Sequence, residues 1–190
     1  MAEAYLEGGL QNPAVDGAHA FRVVLNAMAQ PGTIHELAVG AGPGPLSRAA
    51  ASIMLVLCDN TTPIHLVGSH KNPAIEAWLR FHCGAVLTDQ ASEADFIVGS
   101  WPALQPLDRF KIGSELYPDR SASLIVEMPT VSNTGAILSG PGIETTQTFS
   151  LPEISVFKRN HALYPLGIDF YFTASSDLAA VPRSTKVEEN

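Results

Sequence analysis

The sequence predicts an α/β fold: one domain over residues 1–185, with a mixed β-sheet flanked by helices, and a polar tail over 186–190. Three observations carry this expectation. Short apolar runs bounded by turns alternate with longer stretches of helical period, the pattern of a sheet with helices on its faces. Within 123–149 several strands follow one another with no helix between them, which implies that part of the sheet is antiparallel. Hydrophobic residues make up 46% of the 190 residues and charged ones only 16%, enough apolar material for one large core. No internal repeat and no linker divides the chain.

The elements follow in order. Asn12-Pro13 reads as a helix cap with proline at the first helical position. Behind it Ala14, Ala18, Phe21, Leu25 and Met28 recur at helical spacing, one face of an amphipathic helix, which Pro31-Gly32 stops. Thr33 to Leu37 reads as a short strand. After the glycine- and proline-rich loop 40–45, Pro45 opens a second helix to about Cys58, apolar all round and so buried against the sheet. Ile64 to Val67 is a strand. Asn72-Pro73 repeats the cap signal and opens a helix to about His82, with Ile75, Trp78 and Leu79 inward. Short strands follow at Ala85 to Leu87 and Asp95 to Val98. Ser123 to Met128 and Gly135 to Leu138 are the clearest central strands, and Thr145 to Phe149 reads as a half-exposed one. Pro152 to Leu163 is expected as helix and Asp169 to Thr173 as an aromatic-rich strand, with Lys186 to Asn190 loose.

Composition narrows the function. Nineteen acidic residues against eleven basic ones give a net charge of −8, which opposes nonspecific nucleic-acid binding. The low charged fraction leaves apolar surface that a subunit interface could use. The two cysteines, Cys58 and Cys83, form no redox motif and imply a reducing compartment. Residues 1–7 lack the basic-then-apolar order of a signal peptide, and the longest apolar run, Ala49 to Cys58, is too short for a membrane span. The expectation is a cytoplasmic protein without membrane or nucleic-acid partners.

Familiar catalytic signatures are missing from the sequence. The six histidines show no metal-binding spacing, so no metal is expected. There is no phosphate-binding P-loop, and Gly42-Pro43-Gly44 lacks the third glycine of a dinucleotide fingerprint. No nucleophile elbow is present. Ser69-His70-Lys71 resembles the segment around the Schiff-base lysine of some pyridoxal-phosphate enzymes. Its acidic partner would have to be Asp59, closer in sequence than such enzymes place it, and the plainer reading is a solvated loop before Asn72. No cofactor and no catalytic residue are therefore assigned.

What remains is polar chemistry on rigid turns. Asp59 and Thr61 follow the buried helix, Gly140 and Gly142 allow close backbone approach, and Arg22 and Arg183 could fork onto the oxygens of an anion. These six form a candidate ligand pocket, suited to the oxygens of a phosphate or carboxylate.

The same turns carry a family resemblance. The ordered segments Gly8-Gly9-Leu10, Ala27-Met28-Ala29-Gln30-Pro31-Gly32-Thr33, Leu57-Cys58-Asp59-Asn60-Thr61-Thr62, Phe81-His82-Cys83-Gly84, Leu138-Ser139-Gly140-Pro141-Gly142, Pro165-Leu166-Gly167-Ile168-Asp169 and Val181-Pro182-Arg183-Ser184-Thr185 resemble the H subunit of the bacterial carbon–phosphorus lyase system. One departure is Asp119 after Pro118, where a glutamate is expected. The resemblance implies a fold distantly similar to the large domain of pyridoxal-phosphate transferases without their cofactor lysine. It also implies a homodimer, a core complex with G, I and J subunits, and a phosphonate or nucleotide as the ligand of the candidate pocket. With the G, I and L subunits it implies a role in displacing adenine from ATP by an alkylphosphonate to give α-D-ribose 1-phosphonate 5-triphosphate, as a structural or ligand-positioning subunit. The alternative is an independent small-molecule-binding protein or enzyme with its own pocket.

Overall fold

The computed structural model describes residues 7–190; all of the opening stretch read for a leader except Glu7 lies outside them. Seven strands form the main sheet in the order β1 (His35–Glu36), β9 (Asp177–Val181), β8 (Asp169–Ala174), β5 (Ser123–Glu127), β4 (Phe96–Ser100), β2 (Pro63–Leu66) and β3 (Val86–Leu87). From β8 to β3 the neighbours are parallel, while β9 runs antiparallel to β8 and β1 antiparallel to β9. Strict alternation splits each central strand between two cores. Ile125, Tyr171, Leu178 and Ala180 face the layer of α1 (Pro13–Ala29), α2 (Arg48–Leu57) and α3 (Pro73–Cys83). Leu124, Val126, Phe170 and Phe172 face α4 (Trp101–Leu104), α5 (Ile154–Ala162) and a second sheet.

That second sheet corrects the expected topology. β6 (Ala136–Ser139) is not central to the main sheet. It pairs antiparallel with β7 (Gln147–Phe149) on one side and β10 (Lys186–Glu188) on the other. The antiparallel part of the main sheet is made by β8, β9 and β1 instead. The last segment is not a loose tail, because Lys186-Val187-Glu188 alternates with period two and buries Val187 opposite Leu138. Both the strand after Asp177 and this one escape a reading based on long apolar runs.

Helix starts follow their capping chemistry. Asn72 accepts from the backbone N–H groups of Ala74 and Ile75, and Ile75, Trp78 and Leu79 are fully buried, as expected. α2 starts at Arg48 and not at Pro45, since the Ser47 hydroxyl accepts from Ala50 N–H while Pro43 to Leu46 closes a turn. Asn12 holds the cap position of α1 without a side-chain cap bond; its own N–H donates to Asp16 at 2.7 Å.

α1 turns over the expected orientation. Ala14, Ala18, Phe21 and Leu25 are exposed, Met28 alone of the expected face packs against the core, and the buried stripe is Ala20, Val24 and Ala27, packed on α2 and β9. Small residues let the two helices approach closely, so the larger apolar face is left outward. Among the described residues no helix is long and apolar enough to cross a membrane.

Candidate functional site

In open α/β sheets, ligands bind beyond the carboxyl ends of the strands, where neighbouring connections diverge. Here β2 leads outward to β3 and β4 leads the other way to β5, so that point lies between β2 and β4. Packing closes it. A Cβ on Gly99 would lie 2.3 Å from the Val67 side chain, and one on Gly68, whose φ is +58°, would lie 2.8 Å from Ala103. Beside this closed edge Glu127 ends β5 and His70 ends the turn Gly68–His70. Ile125 faces the α1–α2–α3 layer, so period two sends Glu127 and Thr173 to the same side, under the start of α2.

There Glu127 Oε1 accepts from Ser47 N–H at 2.7 Å and Oε2 from the Thr173 hydroxyl at 3.1 Å. His70 is 3% exposed and its Nε2 lies 3.8 Å from Glu127 Oε1, yet neither ring nitrogen has a hydrogen-bond partner among the described residues. The carboxylate is satisfied and the imidazole is not.

The six sequence-derived residues do not converge on one pocket. Arg183 lies at the opposite, amino-terminal edge of the parallel strands, and four of the five N–H groups of its guanidinium are engaged within the chain. Its Nε and backbone N–H donate to Asp169 Oδ1 at 3.1 and 2.8 Å, Nη2 to Asp169 Oδ2 at 2.5 Å and to the Ser121 hydroxyl, and Nη1 to the Pro118 carbonyl at 2.6 Å. Asp59 and Thr61 lie at the same edge, before β2, in an exposed turn of their own. Asp59 Oδ1 accepts from Thr61 N–H and from the Thr61 and Thr62 hydroxyls. The Thr61 hydroxyl bond foremost lowers the Asp59 pKa. Gly140 and Gly142 serve backbone packing: a Cβ on Gly140 would meet the Ser184 carbonyl at 3.2 Å, and one on Gly142 the Ala29 carbonyl at 2.0 Å. Arg22 stands on the outer face of α1, exposed and without a partner among the described residues.

The pyridoxal-type pairing fails on placement. Lys71 lies beyond the carboxyl end of β2 and pairs with Asp89 at 2.7 Å, whereas Asp59 lies before its amino end. Burial raises the Cys58 thiol well above its ordinary value and pushes Cys83 up to about 12, so both are held as neutral thiols. Among the described residues no three His, Cys, Asp or Glu side chains gather as a metal site.

With this geometry in place, the comparisons decide the family. The model of the bacterial phosphonate metabolism protein PhnH matches residues 8–188. The chain belongs to the PhnH family. It is 33% identical over 189 residues, covering 95% of this chain and 94% of the relative, to the alpha-D-ribose 1-methylphosphonate 5-triphosphate synthase subunit PhnH of Rhizobium meliloti (strain 1021). A candidate C-P lyase subunit protein, HtxG of Stutzerimonas stutzeri, is 23% identical over 174 residues, 88% of this chain and 84% of that protein. The PhnH motifs thus mark turns that fix the fold at least as much as they mark a site. His70 was legible only within the Ser69-His70-Lys71 segment, and Glu127 only within the strand expected over Ser123 to Met128. The available signal was a carboxylate closing an otherwise apolar strand, which needs a buried partner.

Proposed function

We propose that this chain is a structural or ligand-positioning subunit of a carbon–phosphorus lyase complex, assembled in the cytoplasm with G, I and J subunits. With G, I and L it supports a displacement at the ribose of ATP. The bond from C1′ to adenine breaks, a phosphonate oxygen bonds to C1′, and adenine leaves. The observation that carries this reading is the end-to-end match to a synthase subunit, 95% of one chain against 94% of the other. Reconstitution tests it. With ATP and methylphosphonate, the full subunit set should form the ribose 1-phosphonate, and the set lacking this chain should not. Adenine release by this chain alone would show an enzyme in its own right.

The outer face of α1 supports an association role. Phe21 and Leu25 are 49% and 55% exposed, with Ala18 and Ala14 exposed about one and two turns before Phe21. Large residues occupy one half of the stripe and small ones the other. Across a two-fold axis an antiparallel copy sets Phe21 and Leu25 over the second copy's Ala18 and Ala14. We therefore assign the homodimer of the free chain to this face.

A further inference from the structure

Just before β5 the chain folds into a small antiparallel hairpin over 111–122. Ala122 N–H donates to the Lys111 carbonyl at 2.8 Å, and Ile112 bridges Ser121. Ser114 and Tyr117 exchange both backbone bonds at 3.1 Å, so Glu115-Leu116 forms the corner. Two-residue corners favour glycine, asparagine and aspartate. Here Leu116 takes one of the two places, 84% exposed, the most exposed large hydrophobic side chain among the described residues. An exposed leucine by itself signals nothing, but this one stands on a rigid support.

Gly113, at φ +84°, lets the Pro118 carbonyl come so close that a Cβ would lie 2.6 Å from its oxygen. Arg183 Nη1 donates to the same carbonyl at 2.6 Å, and Nη2 to the Ser121 hydroxyl. The Arg120 guanidinium lies 4.1 Å from the centroid of the Tyr117 ring, which is itself exposed. The turn after α5 adjoins the base of the hairpin, where Gly167 N–H donates to the Ile112 carbonyl at 3.0 Å, and it leaves Leu163 and Tyr164 exposed as well. A tip held in this way loses little freedom on binding, and apolar anchors on such a support suit a socket on another protein.

Charge selects the partner. Glu115 and Asp119 flank the apolar tip, and neither forms an ion pair among the described residues. Lys111 is paired with Asp95, and Arg120 is turned onto Tyr117. In a two-fold contact between identical tips these carboxylates would face one another, on a chain whose net charge is already −8. The face assigned above to a second copy, on α1, lies on the other side of the main sheet.

We propose that the hairpin 111–122 docks into an apolar socket, rimmed by lysine or arginine, on a different subunit of the complex. Leu116 and Tyr117 enter the socket, and Glu115 and Asp119 meet the rim. This rests on the complex reading above and deepens it.

The test is a binding titration of the purified, full-length chain against the assembled G, I and J subunits. Wild type should bind, and L116S should bind at least about tenfold more weakly, with a folded amide spectrum and the free-chain mass of wild type. The double change E115K with D119K should also weaken binding, by a factor that shrinks as salt is added. Equal binding by wild type and L116S, a changed free-chain mass in L116S, or tighter binding after the charge reversal would each overturn the docking surface alone. Failure of wild type to bind would overturn the complex reading, and the docking surface with it.

Discussion

Two regions of this molecule exchange the roles that their residue types suggest. At the amino-terminal edge of β8, Arg183 has the setting of an anion-binding residue, beside Ser184 and Thr185, yet Asp169, Pro118 and Ser121 take its donors. On the outer face of α1, Phe21 and Leu25 have the spacing of core residues, yet they face outward. The first region spends recognition chemistry on the fold, and the second keeps core chemistry for the surface. The difference teaches that saturation separates the two uses of a side chain. A group with all its partners inside the chain holds the fold, and one without them is available to something else.

The sharpest way to break this comparison is on α1. The double change Phe21→Glu with Leu25→Glu removes two apolar anchors and should weaken self-association by about a hundredfold or more. Folding stability should move by no more than about 0.5 kcal/mol per site, as for other exposed positions. Sedimentation and urea unfolding measure the two effects separately; loss of stability without loss of association would return this face to a purely internal role.

Arg183→Ala probes the other region. The guanidinium is 12% exposed and Asp169 21%, so truncation strands a largely buried carboxylate and should cost about 3 kcal/mol. Urea denaturation would reveal it as a lower midpoint with unchanged slope. A variant as stable as wild type but impaired in the reconstituted reaction would make Arg183 a ligand residue after all.

The thiols give a smaller, pH-dependent effect. The folded-state pKa of Cys83 is raised from 9.0 to about 12 by burial. Its contribution is therefore complete below pH 9 and is lost as the pH rises from there towards 12. Alkylation by iodoacetamide at pH 8 should be much slower in the native chain than in urea, and equal rates would contradict the burial.

The smallest effect is at Asp59, whose pKa is lowered from 3.8 in the folded state, foremost by the Thr61 hydroxyl. Its contribution is present above that ordinary value and fades as the pH falls through the lowered one. Asp59→Asn should flatten this acid limb slightly, without altering stability at neutral pH by more than an exposed turn allows. An unchanged acid limb would show that the turn's hydrogen bonds do not persist in solution.

The same contrast explains what could be read from the sequence. α3 was legible because Asn72-Pro73 caps it and only one apolar stripe is available. α1 carries two stripes, 14-18-21-25-28 and 20-24-27, and periodicity cannot choose between them; close packing on α2 selects the smaller. β5 and β8 announce themselves as apolar runs, whereas β10 is three residues long and gains its place only by pairing with β6. The candidate pocket was read from residue types on turns. Whether Arg183 is free depends on Asp169, fourteen residues away, and on Ser121, sixty-two away, distances at which a motif carries no information. The approach of His70 to Glu127, fifty-seven residues away, is likewise a property of packing and not of any local pattern.

The most direct measurement is co-expression of the tagged chain with the G, I and J subunits, followed by size-exclusion chromatography with light scattering. The account predicts one species that contains all four chains. Elution of this chain apart from an assembled G, I and J complex would contradict it.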